Sequence, residues 1–253
     1  MDVDGPQPEK RASLPWRTLL VAGALAMVVA IVALELVIIR ELVPPLVIIA
    51  ALLLVGIFLL RRGGRGGAVL IGVVSLVFTA FMIPFAPATF AFPASTSDFV
   101  INLVSLGGAL LAVVAAVAVF RARDLDARSP AAKTLATVVT AIVVLGTVGS
   151  IAARLMREDP LGQPQDLTVT AKDTEFTPEE LAAPTDVSIF IENKDLTAHT
   201  FTVDELGIDE AIPGGGSARA EVEEAEPGSY EFTCEVPGHE QMKGTLTVGG
   251  PGT

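Results

Sequence analysis

Four residues near the C-terminus carry side chains that bind transition metals. They are His199, Cys234, His239 and Met242, and they include the only cysteine and both histidines of the 253-residue chain. Two imidazoles and a thiolate in a trigonal plane, with a thioether as a weak axial ligand, are the donors of a mononuclear blue-copper site. The sequence therefore predicts that these four residues bind one mononuclear copper ion.

The segment that carries these residues has the alternating pattern of β-strands. From Asp166 onward, apolar residues recur at every second position, and short pieces rich in proline, glycine, asparagine and aspartate separate the runs. Such spacing predicts an antiparallel sandwich of six to eight strands. In such a sandwich, side chains from different strands can converge at one end and bind the same ion.

The strand alternation predicts which way the candidate ligands point. Cys234 has the parity of the apolar residues before it, and His199 has the parity of those that follow it, so both are expected to face the core. Met242 should also face inward. Gln241, an alternative axial ligand, has the opposite parity.

Two stretches of this segment resemble cupredoxins of the plastocyanin/halocyanin type. One is Asn193-Lys194-Asp195 followed by His199-Thr200-Phe201, and the other runs from Tyr230 to His239. The resemblance covers residues 165–250 and does not extend to the first 155. It implies an all-β Greek-key sandwich that holds one copper and carries one electron. It also implies the same ligand roles: imidazoles from the two histidines, thiolate from the cysteine and an axial methionine.

One spacing departs from this family. His239 and Met242 are separated by only two residues, fewer than most mononuclear cupredoxins have there. The spacing is similar to that of the binuclear copper site in the second subunit of cytochrome oxidase. Such a site needs two cysteines, and the position four before the histidine is Glu235, so the binuclear interpretation fails.

The first 155 residues have a different composition. The chain is 51% hydrophobic with a mean hydropathy of +0.59, and the apolar residues are concentrated in this part. Five runs approach the ~20 residues that a helix needs to cross a bilayer, which predicts five transmembrane helices at Thr18–Ile39, Leu42–Leu60, Ala68–Phe90, Phe99–Phe120 and Thr134–Ala153. The first run has no small-residue cleavage site after it, so it is interpreted as an uncleaved signal anchor.

Two further features bear on the spans. Glu35 is an ionisable residue inside the first span, which suggests either a functional role or a side chain that reaches the membrane interface. The proline pairs Pro44-Pro45 and Pro84/Pro87 are expected to kink or end helices.

Basic residues predict the orientation. They are clustered before the first span and in alternate loops, namely Lys10, Arg11 and Arg17, then Arg61, Arg62 and Arg65, then Arg121, Arg123, Arg128 and Lys133. By the positive-inside rule the N-terminus is cytoplasmic, and five crossings place the C-terminal domain outside the cytoplasm. The predicted parts are a cytoplasmic tail (1–17), a five-span domain (18–155), a linker (156–165) and an extracytoplasmic cupredoxin domain (166–253).

The C-terminal part is strongly acidic. Residues 158–253 contain 21 Asp and Glu against four Lys and Arg, a formal charge of −17. This charge excludes nucleic acid as a partner of the domain, because phosphate contacts require positive charge. It is consistent with a basic redox partner, such as a c-type cytochrome or an oxidase, or with a solvated surface alone.

These observations predict a membrane-anchored blue-copper protein that carries single electrons on the extracytoplasmic face of the cell membrane. No nucleophile–base pair or second metal site is apparent in the sequence, so an enzyme is not expected. Two alternatives stay open: copper binding or delivery within copper homeostasis, and a transporter whose cupredoxin domain is a sensor.

Overall fold

The structure is a computed structural model that describes residues 13–122 and 128–249. Most of the predicted cytoplasmic tail, with Lys10 and Arg11, lies outside the described residues, as does the loop residue Arg123. The chain separates into two compact units. One contains the described residues up to Ala33 together with Glu41–Phe81 and Leu103–Val144, and the other contains Leu34–Arg40, Met82–Asn102 and the chain from Leu145 onward.

The N-terminal part is helical, as its long apolar runs predict. Five of its helices are long and apolar enough to cross a membrane, which confirms the predicted fold class. The helices are α1 (Trp16–Ala33, continued by a π-helical segment, Leu34–Ile39), α2 (Pro44–Arg61), α3 (Arg65–Met82), α4 (Ala86–Ala91), α5 (Thr96–Ala122) and α6 (Pro130–Met156). Two short strands, β1 (Leu14–Pro15) and β2 (Arg128–Ser129), pair antiparallel before α1 and α6.

Prolines set several helix ends. Helix α2 starts at Pro44, where a missing backbone N–H costs nothing. The apolar run that predicts the third span continues to Phe90, but α3 ends at Met82 and a separate short helix follows. Pro84 accounts for this break, because its ring clashes with a preceding helical turn and it lacks the N–H to continue the ladder.

Within the first unit, small residues allow two helices to approach closely. A Cβ atom at Gly23 of α1 would lie 2.5 Å from the carbonyl oxygen of Gly108 in α5. Such contacts between glycines are typical of helices packed within a membrane. Ser75 of α3 donates a hydrogen bond to the Met27 sulfur at 3.3 Å, so this buried hydroxyl is satisfied.

The C-terminal part is a β-sandwich of two sheets. Its strands are β3 (Leu167–Lys172), β4 (Glu175–Thr177), β5 (Glu180–Ala183), β6 (Val187–Asn193), β7 (His199–Val203), β8 (Ile208–Ile212), β9 (Ser217–Val222), β10 (Gly228–Thr233) and β11 (Lys243–Val248). One sheet has the order β5-β11-β10-β7-β8 and the other β4-β3-β6-β9.

This sandwich differs in two details from the one that the turn spacing predicts. It has nine strands among the described residues rather than six to eight, because β4 and β5 are separate strands of only three and four residues, too short to be predicted from the sequence pattern. It is also not wholly antiparallel, since β3 pairs parallel with β6 and β5 pairs parallel with β11. These parallel pairs join strands that are not neighbours in sequence, so local turn patterns cannot predict them.

Aromatic residues fill the centre of the sandwich. Phe176, Phe201 and Phe232 are almost fully buried. Phe176 packs edge-on against the other two rings at centroid distances of 5.5 and 5.4 Å, and those two stack at 4.9 Å. Each ring contributes apolar burial and a favourable edge-to-face or offset geometry. The strand ends next to this cluster therefore have a rigid support.

The linker after α6 is hydrogen-bonded to the sandwich. Arg157 donates to the carbonyl oxygens of Ala211 and Ser217, both at 3.3 Å, and the Ser217 hydroxyl donates to Pro160 at 2.8 Å. Arg154 and Arg157 both bond Asp159, at 2.6 and 3.1 Å. These bonds fix the linker against strands β8 and β9.

Candidate metal centre

Strand pairing brings the first two candidate ligands together. His199 is the first residue of β7, and Cys234 directly follows the last residue of β10. The two strands are antiparallel neighbours, so the start of one lies beside the end of the other. The Thr200 hydroxyl accepts a hydrogen bond from the backbone N–H of Glu235 at 2.7 Å, which fastens the end of β10 to β7.

The loop between β10 and β11 returns His239 to the cysteine. Its backbone N–H donates to Val236 at 3.0 Å, and its carbonyl accepts from Met242 at 2.8 Å. The N–H of Cys234 donates to the Met242 carbonyl at 3.0 Å, which closes the loop. Gly238 has a φ of +92°, a conformation that glycine adopts without strain.

Both imidazoles present the same ring atom to the thiol. The Cys234 sulfur lies 3.8 Å from Nδ1 of His199 and 3.6 Å from Nδ1 of His239. The potential ligand atoms of the three residues all lie within 4.8 Å of one another. Donors bound at roughly 2.0–2.3 Å to one ion in a trigonal plane would be roughly 3.5–4 Å apart. The site of His199, Cys234 and His239 therefore fits one mononuclear copper ion.

The surroundings of Cys234 favour the ionised form of its thiol. Burial alone would raise the pKa of Cys234, but hydrogen bonds from His199, His239 and the N–H of Thr200 outweigh it and lower the pKa from 9.0 to about 6. The Thr200 N–H donates directly to the sulfur at 3.4 Å. Because a thiolate rather than a thiol is the metal ligand, this environment favours a bound cation.

An acidic residue orients the first histidine. Burial favours the neutral ring of His199, but hydrogen bonds to Asp195 and Cys234 outweigh it and raise its pKa. Oδ2 of Asp195 lies 2.9 Å from Nε2 of His199. A proton on Nε2 therefore has an acceptor, and Nδ1 keeps its lone pair for a metal, as in other carboxylate–histidine–metal arrangements.

A buried asparagine supports that carboxylate. Asn193 accepts a hydrogen bond from the N–H of Asp195 at 2.8 Å. Its side-chain amide donates to the carbonyls of Thr197, Ile212 and Pro213 at 2.8 to 3.2 Å. Strand pairing cannot predict these contacts, because they depend on the turn between β6 and β7. The only signal in the sequence is the placement of Asn193 and Asp195 in a turn shortly before the histidine.

The structure buries the side chains as their parity predicts. His199, Cys234 and Met242 are 0, 5 and 1% exposed, whereas Gln241 is exposed and bonds Thr174 at 3.1 Å. Met242 belongs to the same apolar cluster as the cysteine and is joined to it through the backbone. The role of Met242 as axial ligand stays a prediction.

Two other residues singled out in the sequence have defined surroundings. His239 is half-buried, and its position in a loop makes it the least enclosed of the three clustered residues. Glu35 is 4% exposed and lies in the π-helical segment that follows α1. Its side chain is therefore enclosed by other protein atoms, and both interpretations of Glu35 stay predictions.

Comparison with known proteins agrees with this site. A family model described as a cupredoxin-like domain matches residues 138–248. No curated protein matches the chain in sequence. The C-terminal region is therefore a cupredoxin-like domain, which follows a helical region with five candidate membrane spans.

Solved structures that are similar to part of this chain include amicyanins and a nitrite reductase. A reduced tryptophan-to-tyrosine variant of amicyanin is 17% identical, with 34% of this chain and 85% of that chain covered and a TM-score of 0.30. Amicyanin from Paracoccus versutus is 15% identical, with 34 and 84% covered and a TM-score of 0.29. The copper-containing nitrite reductase of Thermus scotoductus is 24% identical, with 38% of this chain but only 26% of that chain covered and a TM-score of 0.29.

Proposed function

We propose that this protein is a membrane-anchored blue-copper electron carrier whose metal ligands are His199, Cys234, His239 and Met242. The observation that supports this most strongly is the convergence of two imidazole Nδ1 atoms on the Cys234 sulfur at 3.8 and 3.6 Å. A copper ion bound by such donors accepts and releases one electron. The protein's own residues hold the donors in place and keep water away from three of them, His199, Cys234 and Met242.

We infer a carrier rather than an enzyme because of how the site is enclosed. His199 and Cys234 are buried, so a substrate has no access to a bound ion from their side. The hydrogen bond from the Thr200 N–H to the Cys234 sulfur and the one between Asp195 and His199 restrain the movement of these two ligands. A restrained, closed site suits an electron that enters and leaves without a change of ligands.

Charge and topology suggest where the carrier acts. The arginine clusters favour an extracytoplasmic position for the copper domain, and its formal −17 charge favours a basic partner. A c-type cytochrome with a basic surface, or an oxidase, would meet that requirement. Electrostatic attraction would mainly increase the rate of encounter.

Copper loading of the purified full-length protein tests the metal assignment. We expect one Cu(II) per chain and an intense blue colour from the copper–thiolate bond, which Cys234→Ser should abolish. Gln241→Leu is the matched control, because this neighbouring side chain is exposed, and it should stay blue. A colourless parent protein in the presence of Cu(II) and an oxidant would contradict the proposal.

A second experiment separates electron transfer from copper delivery. Electron exchange with a basic c-type cytochrome should slow as ionic strength rises, since salt screens the attraction of exposed charges. Glu235→Gln, which removes an exposed acid within the ligand loop (residues 234–242, between β10 and β11), should slow exchange at low salt and leave the copper spectrum unchanged. Ready transfer of copper to an acceptor protein, without electron exchange, would favour copper delivery instead.

A further inference from the structure

A cavity of about 260 Å³ borders the half-buried ligand His239. Its other walls come from Met82–Asn102, from the π-helical segment Leu34–Ile39 and from the ligand loop. All of these residues belong to the second compact unit. The cavity therefore joins the candidate metal centre to the ends of helices that are apolar enough to cross a membrane.

One part of the cavity is apolar and aromatic. Phe85 and Phe92 line it, together with Pro237 from the ligand loop. Pockets for drug-sized ligands are typically about 300–1,000 Å³ and mainly apolar with a few polar groups. This volume suits a single substituted ring rather than a larger molecule.

Two polar side chains give the cavity a hydrogen-bonding end. Asp98 and Asn102 both line it, one helical turn apart at the start of α5. The Asn102 amide donates to the Asp98 carboxyl at 2.9 Å and to its backbone carbonyl at 3.0 Å. These bonds fix the carboxyl group in one position. Because polar groups in a membrane-spanning segment are energetically costly, they are usually functional.

The apolar and acidic residues that line the cavity favour some lipid-soluble molecules over others. A phosphate headgroup is disfavoured, because it would face the Asp98 carboxyl and the strongly acidic domain. A neutral aromatic ring with hydroxyl groups fits better, because the ring can contact the phenylalanines while a hydroxyl donates to the carboxyl. The apolar residues of Leu34–Ile39, several of them exposed, provide a route from the lipid phase.

We infer that this cavity binds the headgroup of a membrane-soluble quinol, with its ring beside His239. The choice of a redox-active ligand rests on the proposed function, which this inference deepens. The binding of a ring in the cavity does not depend on that function. A quinol gives up two electrons and two protons when it becomes a quinone, so the one-electron centre would be reduced and then reoxidised by its redox partner twice for each quinol, and the two protons would pass to water. The decisive measurement is therefore binding to the metal-free protein, which cannot oxidise the ligand.

The experiment is a calorimetric titration of the full-length, metal-free protein in detergent with decylubiquinol under anaerobic conditions. Titration into empty micelles corrects for partitioning. We expect saturable binding of one molecule per chain. Asn102→Leu, which removes hydrogen-bonding capacity, and Ala88→Trp, which fills the cavity, should each weaken binding roughly tenfold or more. Ala80→Trp, at an exposed position of α3 outside the cavity, is the matched control and should bind like the parent.

The outcomes distinguish this site from the metal centre. A parent protein without saturable binding, or equal binding by the parent and both cavity variants, would overturn the quinol site and leave the copper assignment intact. A protein that binds decylubiquinol but stays colourless with copper would refute the proposed function and leave the cavity assignment standing. Retained blue colour after copper loading shows that each variant is folded.

Discussion

Asp195 and His199 form a hydrogen bond of 2.9 Å on the side of the imidazole ring away from Cys234. The carboxylate thus contacts Nε2 while Nδ1 faces the thiol. Because a metal-bound imidazole must be neutral with its proton on the other nitrogen, this contact selects the tautomer that can bind copper. Asp195 is therefore a positioning residue for the centre.

Removal of this carboxylate should weaken copper binding. Asp195→Ala leaves Nε2 without its acceptor, and loss of such an outer contact typically lowers metal affinity about 10–100-fold. Asp195→Asn keeps an acceptor oxygen without the charge, so we expect an intermediate affinity. Competition with a copper chelator measures both. Asp204→Ala, which removes an exposed acid just beyond the opposite end of β7 from His199, is the control, and an equal loss in that variant would show that Asp195 acts only through net charge.

The second prediction concerns the acid stability of the sandwich. Hydrogen bonds from Arg219 hold the pKa of Asp166 well below its usual range, with further bonds from Ser188 and the N–H of Gln163. In the unfolded chain this carboxyl has its ordinary pKa of 3.8. Between the lowered pKa and 3.8, the unfolded state therefore binds more protons than the folded state. The contribution of Asp166 to stability is thus present above that value and is lost as the pH falls below it towards the lowered pKa.

Asp166→Asn should remove this component of the pH dependence. The fragment of residues 160–253 contains no tryptophan and a single tyrosine, Tyr230, so Tyr230 fluorescence can follow urea unfolding between neutral and acidic pH. We expect the variant to be less stable at neutral pH and its stability to fall less steeply in acid. Asp204→Asn is the control, and the same slope for the parent and Asp166→Asn would contradict the prediction.

The candidate site could be predicted from the sequence because its residues are rare. One cysteine and two histidines in an alternating segment restrict the possible ligands, and strand parity then predicts that Cys234 and Met242 face inward. Asp195 and Asn193 could not be assigned in this way. Aspartate and asparagine are common in turns, and only the folded turn shows which atoms they contact.

The fold was predictable at the level of elements but not of pairing. Apolar run length predicts the five spans, and Pro84 explains why α3 ends before the apolar run does. The parallel pairs β3–β6 and β5–β11 join strands that are distant in sequence, and no local pattern encodes such a partner. The cavity at His239 also depends on contacts between distant segments.

Membrane topology gives a third prediction. The arginines at 61, 62 and 65 lie at the ends of α2 and α3, and the positive-inside rule places this loop in the cytoplasm. An alkaline phosphatase fusion after Thr253 should be active, because the enzyme folds only outside the cytoplasm, and a fusion at Gly64 should be inactive. A green fluorescent protein fusion at each site is the reciprocal control, and the opposite pattern at both sites would overturn the orientation.

The fourth prediction tests the axial ligand. Met242 is buried beside the cysteine, and Gln241 is exposed and bonded to Thr174. If the thioether is the weak axial ligand, Met242→Leu should keep the blue colour and change the reduction potential, because the axial donor tunes the potential without supplying the strong bonds. Redox titration followed by visible absorption measures both properties. Gln241→Leu should change neither, and a shift confined to that variant would instead identify the glutamine as the axial donor.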